Sequence, residues 1–285
     1  MSTSSTDNKP AVWFVTGTSQ GFGRELVRAA LQRGDSVIAT SRRPEAVGAA
    51  FPKADGRLLV LPLDLRNESA INTAVDKALA RYSRIDYLVN NAGHGFTGAI
   101  EEATDGEILN VFETNVFGLI RVTRAVLPHF RRQGSGHIVN LSSISGLVGL
   151  PGSGIYNASK FAVEGISEAL AAELAPLGIR VTIVEPGPFR TDFLGGSMAA
   201  ASRMIPDYEK SAGQTRVNNT QRNGRQPGDP VLGADAIVRA VTSAKPPLHL
   251  LLGSFAYERF NQKVDSFLRD IEDWRETTLA TDFKN

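Results

Sequence analysis

A tyrosine and a lysine one helical turn apart are the residues of this sequence best suited to acid–base chemistry. Tyr156 and Lys160 stand four positions apart in the stretch from Asn140 to Lys160, so on a helix their side chains lie on the same face. A free tyrosine titrates at about 10, too high for proton transfer at neutral pH, but an adjacent ammonium favours the phenolate. The pair therefore predicts a tyrosine whose pKa is lowered by Lys160 and which acts as a general acid or base.

Two serines precede this pair at the end of an apolar run. Residues 137–141 are predicted to form a strand, and Ser142 and Ser143 follow it, where a hydroxyl could hydrogen-bond a substrate oxygen. Serines at strand ends also act as simple caps, and Tyr-x-x-x-Lys occurs by chance in many proteins. The interpretation therefore depends on the elements that position these residues.

A glycine-rich turn follows the first predicted strand. Residues 11–15, AVWFV, are typical of a strand buried on both faces. They lead into TGTSQGFG and then into a helical pattern. Strand, glycine turn and helix in this order indicate a phosphate-binding site, because the glycines let the backbone approach a pyrophosphate and the helix N-terminus favours its charge. The predicted dinucleotide contacts in this turn are Gly17, Ser19, Gln20, Gly21, Phe22 and Gly23.

The residues after the second predicted strand, 36–40, favour a phosphorylated dinucleotide. In dinucleotide folds an acidic residue at this point binds the ribose 2′-hydroxyl, whereas an arginine accommodates a 2′-phosphate. Here the strand is followed by Ser41, Arg42 and Arg43. The first carboxylate comes later, at Glu45. We therefore expect NADP(H) to be preferred over NAD(H), mainly because of Arg42.

Further candidate contacts follow the later strands. After the third strand, Asp64 could accept a hydrogen bond from an adenine amine or cap the next helix, and Leu65 follows it. The fourth strand ends in a turn of small residues, which lets the backbone approach a cofactor ribose. The residues predicted there are Asn91, Ala92 and Gly93, and the sixth strand runs into Pro186 and Gly187. Seven strands alternating with helices predict an α/β fold, a parallel sheet with helices on both faces, whose ligands bind beyond the carboxyl ends of the strands.

One long helix is predicted from Thr104 to Gln133, capped by Thr104 or Asp105. Asn115 lies close to its apolar stripe, so its amide is either tied to backbone or placed to hold a water. Pro128 should bend or shorten this helix near its end. The helix carrying Tyr156 should end near Leu174.

Composition excludes several functional classes. The 285 residues carry 31 basic and 30 acidic side chains, a balance that favours neither nucleic acid nor a membrane surface as partner. The absence of cysteine excludes disulfides and thiolate sites, and the four histidines lack metal-ligand spacing, so no metal site is predicted. The start of the chain has no signal-peptide pattern and no apolar run is long enough to span a bilayer. We expect a soluble, cytoplasmic protein with a disordered tail at residues 1–10.

Taken together, these motifs resemble the short-chain dehydrogenase/reductase family, in the single-domain branch with a TGxxxGxG turn. The resemblance runs from about residue 11 to Thr191 and covers the glycine turn, the Asn-Asn-Ala-Gly element and the Pro-Gly element. It implies a Rossmann-like, doubly wound sheet in one domain spanning residues 11–285. The family's four catalytic residues correspond to Asn115, Ser143, Tyr156 and Lys160, with Ser143 favoured over Ser142 by its distance from the tyrosine. Ser41 falls where NAD-using members carry an acid, and Thr191 where the nicotinamide carboxamide is contacted.

The resemblance also implies a mechanism. Tyr156 would give a proton to a carbonyl oxygen as hydride arrives from the nicotinamide, or remove it in reverse, and Ser143 would steady that oxygen. Lys160 would lower the pKa of the tyrosine and hold the ribose, while Asn115 would anchor a water for proton relay. Two alternatives remain open: a nucleotide-sugar epimerase or dehydratase, and a redox sensor that binds NADP(H) without turnover. Family members usually form homotetramers or homodimers through the helices that hold Asn115 and Tyr156.

The chain beyond Thr191 is less regular. A segment at about 188–230 has the length of a lid over a substrate cleft, and a C-terminal helix is predicted at about 255–276. A medium-sized apolar ketone or secondary alcohol is the predicted substrate. Its apolar wall would come from Phe189, Phe193, Leu194, Met198, Met204, Tyr208, Leu147, Val148 and Leu150.

Overall fold

A sheet of seven parallel strands forms the centre of the molecule, as predicted. The computed structural model describes residues 10–283, so the predicted N-terminal tail lies outside the described residues except for Pro10. The strands in chain order are β1 Val12–Thr16, β2 Ser36–Ser41, β3 Leu58–Pro62, β4 Tyr87–Asn90, β5 Gly95–Thr97, β6 Gly136–Leu141, β7 Ile179–Pro186, β8 Met198–Ala200 and β9 His249–Leu252. The large sheet has the order β3-β2-β1-β4-β6-β7-β9, and β5 pairs with β8 in a small second sheet.

Helices cover both faces of the large sheet. They are α1 Gly21–Gln32, α2 Pro44–Ala50, α3 Glu68–Tyr82, α4 Asp105–Phe112, α5 Leu119–Gln133, α6 Gly154–Leu174, α7 Gln214–Arg222, α8 Pro230–Val241, α9 Ser254–Asp273 and α10 Arg275–Leu279. Successive side chains of a strand point to opposite faces, so Trp13 packs in the core cluster that contains α1 and α8 residues, and Phe14 in the one that contains α3 and α5 residues. Both rings are fully buried. This explains why β1 reads as a continuous apolar run.

The long helix predicted at 104–133 contains a π turn in the structure. Thr104 caps α4 as one of the two predicted caps, but a wide π-helical turn, Glu113–Gly118, separates α4 from α5. Gly118 in this turn lies against Leu65, where a Cβ would come within 2.8 Å of the Leu65 Cβ. The extra residue that a π turn inserts re-aims the neighbouring side chains, and Asn115 is among them. Residues 105–133 are therefore helical throughout, as predicted, but the helix contains a π turn at Asn115 that the sequence did not indicate.

Two local predictions can be compared with the structure. Pro128 lies inside α5, which ends at Gln133 as predicted and is followed by Gly134, whose φ of 64° suits glycine, so of the two effects predicted for Pro128, bending or shortening, shortening does not occur. Asp64 does not cap α3, because the cap is Asn67, whose side chain accepts from the Ala70 N–H at 3.0 Å. Asp64 instead pairs with the Arg66 guanidinium.

The segment at 188–230 contains regular structure. It includes β8, a 3₁₀ turn, a π turn at Glu209–Gly213 and α7. The pairing of β8 with β5 places this segment directly above the carboxyl end of β4. Among the described helices, none combines the length and the apolar character that crossing a membrane requires.

Candidate functional site

The first two turns of α6 carry Tyr156 and Lys160 to the end of β6. Both side chains are enclosed, with 8% and 6% of their surface exposed. Lys160 Nζ donates to the Leu141 carbonyl oxygen at 2.6 Å and lies 5.8 Å from the centre of the Tyr156 ring. The helical spacing therefore does bring the ammonium beside the aromatic ring, as the sequence predicts.

The two serines after β6 have different surroundings. Ser143 lies beside the Tyr156 phenol, and its Oγ also accepts from the Ser145 N–H at 3.1 Å. Ser142 lies on the other side, toward Glu164. A Cβ on Gly146 would come within 2.6 Å of Ser142 Oγ and 2.9 Å of Glu164 Oε1. The geometry therefore places Ser143, and not Ser142, next to the tyrosine.

Asn115 is held in place by protein groups on every side. Its Oδ1 accepts from the His94 N–H at 3.0 Å, and its Nδ2 donates to the His94 carbonyl at 2.9 Å and to Ser159 Oγ at 3.1 Å. These bonds join the π turn, the turn after β4 and helix α6. His94 takes part through its backbone, and its ring lies within 3.3 Å of the carbonyl oxygens of Gly95 and Asn110.

The direction of the Tyr156 pKa is opposite to the one that the sequence suggests. Burial raises the pKa of the phenol above its usual value, and the Ser143 hydroxyl offsets only part of this effect. Burial also lowers the pKa of Lys160 to about 8, with the Glu164 carboxylate acting the other way. In the protein as described, Tyr156 is therefore a protonated acid, the form that can donate to a carbonyl oxygen.

Phe193 is one of the side chains that pack against Tyr156. Its ring centre lies 5.6 Å from that of Tyr156, at an interplanar angle of 52°. Phe193 belongs to the 188–230 segment, and Ala201 of the same segment joins the apolar cluster around Tyr156. Of the other predicted wall residues, Phe189 packs on Phe22 and Met204 is exposed. The segment thus covers the tyrosine with one aromatic ring.

The glycine turn packs tightly on itself and on the turn after β4. Gly17 has a φ of 71°, and a Cβ there would lie 2.8 Å from the Ala92 Cα. At Gly23 a Cβ would come within 2.2 Å of the Gly17 carbonyl oxygen. Asn91 Nδ2 donates to the carbonyls of Thr16 and Gly17, both at 2.9 Å, which fixes this turn to the end of β4.

Gly93 connects this turn to the tyrosine and lysine. A Cβ at Gly93 would lie 3.1 Å from Asn115 Oδ1 and 3.8 Å from Lys160 Nζ. The turn at Gly17, the Asn91–Gly93 element and Lys160 therefore follow one another along the carboxyl edge of the sheet. The structure brings the predicted phosphate turn and the predicted acid–base pair to the same edge.

An open cleft of about 560 Å³ lies over the glycine turn, outside the tyrosine's enclosure. Its lining includes Ser19, Gln20, Gly21, Arg43 and Thr191. Arg43, which sequence reasoning passed over in favour of Arg42, donates to Gln20 Oε1 at 3.2 Å.

Arg42 lies near enough to Asp64 to affect the pKa of its carboxyl. The Asp64 pKa is lowered to about 2, chiefly by its hydrogen bond with Arg66, and Arg42 adds a smaller electrostatic effect. Ser41 Oγ accepts from the Arg43 N–H at 3.0 Å at the end of β2.

The remaining residues predicted to contact the cofactor lie at the same carboxyl edge of the sheet. Gly187 N–H donates to the Leu252 carbonyl at 2.9 Å, which joins the Pro186–Gly187 element to β9. Thr191 Oγ1 accepts from the Phe193 N–H at 3.3 Å and so orients the ring that covers Tyr156.

A buried group of ionisable residues behind the site was missed by sequence reasoning. Glu164 on α6 and Glu185 on β7 are buried, and Glu185 Oε1 lies 2.8 Å from His249 Nδ1 on β9. Ligand atoms of the three residues lie within 4.8 Å of one another, a spacing that a metal ion could bridge. They come from three separate elements, so no short spacing in the sequence could indicate them.

We expect these two carboxyls to make the protein less stable as the pH rises. Burial raises the pKa of Glu164 to about 7 and that of Glu185 to about 8. The unfolded chain therefore loses these protons at lower pH than the folded protein does. The stabilising contribution of these two carboxyls is complete below about pH 4.5. Above that pH the free energy of unfolding falls by about 1.4 kcal/mol per pH unit for each carboxyl, until the pH passes the folded pKa of that carboxyl.

Denaturant unfolding of wild-type protein, Glu164→Gln and Glu185→Gln between pH 5 and 9 measures this effect. Each variant removes one titrating group, so its free energy of unfolding should fall less steeply with pH than that of wild-type protein. Glu173→Gln is the matched control, because Glu173 is an exposed carboxylate near the end of α6. Equal slopes in wild type and both buried-site variants would contradict the expectation.

Comparison with known proteins gives results that agree with this geometry. The family model for short chain dehydrogenase matches residues 11–201. A 3-ketodihydrosphingosine reductase of Bacteroides thetaiotaomicron is 37% identical over 265 residues, covering 92% of this chain and 94% of the relative. Human retinol dehydrogenase 8 is 35% identical over 258 residues, covering 84% and 80%.

Solved structures agree as well. A short-chain dehydrogenase from Streptomyces avermitilis superposes with a TM-score of 0.89 at 43% identity, covering 96% of this chain and all of the other. A 3-ketoacyl-(acyl-carrier-protein) reductase from Brucella melitensis, complexed with NADH, gives 0.72 at 25% identity, with coverage of 85% and 96%. A serine dehydrogenase complexed with NADP⁺ gives 0.73 at 29%, with coverage of 85% and 94%. The fold, the site and these similarities together show that the chain belongs to the short-chain dehydrogenase family and is an oxidoreductase of that family.

Proposed function

We propose that this protein is an NADP(H)-dependent oxidoreductase that interconverts a ketone and a secondary alcohol. The observation that carries the proposal is the convergence of Ser143, Tyr156, Lys160 and Asn115 beside the Gly17–Gly93 edge. Gly17 has a positive φ and Gly23 packs directly against the Gly17 carbonyl, the tight turn and close packing that glycines provide in dinucleotide-binding turns. A bound nicotinamide cofactor supplies the hydride chemistry.

Tyr156 acts as the acid in reduction. Its burial keeps the proton on the phenol until a carbonyl oxygen is close enough to accept it, and Ser143 donates a second hydrogen bond to the same oxygen. In the reverse direction the tyrosinate removes the alcohol proton. Because Phe193 packs against Tyr156, this ring must shift for substrate to enter, and its return excludes water during the transfer.

Lys160 and Asn115 support this proton transfer. With its pKa lowered to about 8, Lys160 is charged at neutral pH but releases a proton more readily than an exposed lysine does. It therefore stabilises the tyrosinate that forms and helps to restore its proton. Asn115 has both amide hydrogens committed to His94 and Ser159, so only an oxygen lone pair is left to hold a water on this route.

The substrate we propose is apolar and of medium size. Phe193, Phe96 and Val111 make the surroundings of Tyr156 apolar, and two relatives carry names that refer to lipid-like ketone or alcohol substrates, 3-ketodihydrosphingosine and retinol. A panel of carbonyl compounds of graded polarity, with NADPH oxidation as the readout, tests this. Turnover confined to small charged carbonyls would refute the apolar class.

The preference for NADP(H) should depend on Arg42 and Arg43. No carboxylate stands at the end of β2, and the two arginines follow Ser41 there. A charged hydrogen bond to a 2′-phosphate contributes roughly 1.5 to 3 kcal/mol, so Arg42→Ala and Arg43→Ala should each reduce kcat/KM for NADPH by about 10- to 100-fold. The values for NADH should stay nearly constant.

Steady-state kinetics with both cofactors measures this preference. Arg24→Ala is a useful control, since Arg24 also lines the cleft but lies on α1. If the NADPH to NADH ratio is unchanged in both Arg42→Ala and Arg43→Ala, the proposed preference is wrong while the oxidoreductase assignment is unaffected.

We further propose assembly as a homodimer or homotetramer through α4, α5 and α6. Phe117, in the π turn between α4 and α5, and Phe161 on α6 are both partly exposed, which is consistent with a covered surface in an oligomer.

A further inference from the structure

Two carboxyls and one imidazole from three separate elements converge behind the end of β6. Glu164 lies one turn after Lys160 on α6, Glu185 lies near the end of β7, and His249 begins β9. The parallel pairing of β7 with β9 places His249 opposite Ile183. Because side chains two residues apart on a strand share a face, Glu185 and His249 point to the same side of the sheet. Regular elements therefore hold all three side chains.

The two carboxyls are buried without the partners that buried charges require. Glu164 is 5% exposed and Glu185 is fully buried. Neither Glu164 oxygen has a partner with hydrogen-bond geometry, although the Ser142 hydroxyl lies close by, and Glu185 Oε2 has none either. Within residues 10–283, no lysine or arginine nitrogen lies within 4 Å of these carboxyls; the only basic group that near is the His249 ring. Buried carboxylates are costly unless they are paired or coordinate a metal, so this cluster lacks a positive charge.

The distances within the cluster suit a shared ion. His249 Nδ1 lies 2.8 Å from Glu185 Oε1 and 4.0 Å from Glu164 Oε2, and one ligand atom from each residue lies within 4.8 Å of the others. In a tetrahedral zinc site with bonds of about 2.0–2.1 Å, ligand atoms are roughly 3.4 Å apart. This value falls between the two measured distances, so side-chain shifts of about 1 Å would bring the three atoms to one ion.

The ligand types indicate which class of cation fits. Imidazole nitrogen suits zinc and other transition metals, whereas magnesium and calcium prefer sites made only of oxygen. Two carboxylates balance the charge of a divalent ion, and three protein ligands leave a fourth position for water. The His249 side chain is 39% exposed, which gives an ion a path from solvent.

We propose that Glu164, Glu185 and His249 bind one divalent transition-metal ion, for which Zn²⁺ is the probe, and that this ion fastens α6 to β7 and β9. The proposal differs from the expectation, drawn from histidine spacing, that the chain has no metal site. Metal binding is measured without cofactor or substrate, so it is tested independently of the proposed function. The pH dependence described above for the two carboxyls applies to metal-free protein.

Calorimetric titration of tag-free, chelator-treated protein with zinc chloride at neutral pH tests the site directly. Wild-type protein should bind one ion per chain, and Glu185→Gln and His249→Gln should each weaken binding at least tenfold. His129→Gln is the matched control, because His129 is a half-buried histidine on a different helix, α5. Absence of saturable binding at millimolar zinc would overturn the proposal and leave the carboxyls neutralised by protons. Equal affinity in wild type and His249→Gln would overturn it as well.

Thermal unfolding provides the second measurement. An ion that binds only the folded protein raises the unfolding midpoint, by roughly 5 °C when its concentration is 100 times the Kd. Zinc should produce this shift in wild-type protein and His129→Gln but not in His249→Gln, whose partly exposed position tolerates the change. Magnesium at the same concentration should produce no shift. Equal shifts with magnesium would contradict the proposed class of metal.

Crystals soaked in zinc chloride locate the ion. Anomalous scattering at the zinc edge should show a peak between the carboxyls of Glu164 and Glu185 and the ring of His249. Peaks confined to other histidines or to surface carboxylates would overturn the assignment, even if the calorimetric titration showed binding.

Discussion

Tyr156→Phe is expected to lower kcat for carbonyl reduction by about 1,000-fold or more. General acid catalysis contributes roughly 100- to 10,000-fold, and the phenol is the acidic hydrogen beside Ser143 in an otherwise apolar enclosure. Phenylalanine keeps the ring and its contact with Phe193. Cofactor binding, followed by quenching of NADPH fluorescence or by calorimetry, should therefore stay within a few-fold of wild type.

Tyr87→Phe is the matched control for this prediction. Tyr87 begins β4 and stacks on Trp13 at a ring distance of 4.0 Å, far along the sheet from the carboxyl edge. The same loss of one hydroxyl there should leave kcat unchanged. Normal turnover by Tyr156→Phe would remove the proposed acid, and with it the assignment of chemistry to this site, whereas equal losses in both variants would indicate a general effect on folding.

The sequence predicts the location of those site residues that directly follow the ends of strands. Parallel strands align their carboxyl ends at one edge, so Gly17, Asn91 and Ser143 could be placed near one another once β1, β4 and β6 were recognised. Helical periodicity then put Tyr156 and Lys160 on one face. These inferences need only local spacing and the order of elements.

Features that depend on tertiary packing could not be obtained in this way. The π turn around Asn115 forms where Gly118 meets Leu65, a contact between residues 53 positions apart that no helical period encodes. The Tyr156 pKa follows from burial of the phenol, whereas the sequence indicated only the charge of Lys160. The sequence therefore predicts the residue types of the site, but it predicts the wrong direction for the Tyr156 pKa shift, which depends on burial.

The attachment of the 188–230 segment is a further such feature, and it leads to the last prediction. Glu102 is fully buried and accepts from the N–H groups of Ala99 at 2.8 Å and Ile205 at 2.9 Å. Arg216 on α7 adds two hydrogen bonds, at 2.7 and 3.3 Å. One carboxylate thus holds two points of the segment to the turn after β5, and its pKa is lowered to about 2, chiefly by Arg216.

Arg216→Ala should loosen this segment at neutral pH. Removing one partner of a buried ion pair usually costs about 3 to 5 kcal/mol. Two backbone donors remain to Glu102, so we expect on the order of 2 to 3 kcal/mol, confined to this region. Hydrogen exchange should rise in β8 and α7 but not in β1, and KM should increase more than kcat falls, because Phe193 is held less firmly over Tyr156.

The pH dependence separates an ion-pair effect from simple loss of packing. A carboxyl whose folded pKa is depressed contributes stability above its unfolded pKa of about 4.5, and this contribution is lost as the pH falls toward the folded value. As the pH falls from about 4.5 to 2, hydrogen-exchange protection of the 188–230 segment in wild-type protein should therefore decrease toward the level in Arg216→Ala. Arg203→Ala, which removes only an exposed bond to the Glu101 carbonyl, should show neither change. A pH-independent difference between wild type and Arg216→Ala would mean that the guanidinium acts as a packing group, since the charge on Glu102 could then have no part in holding the segment.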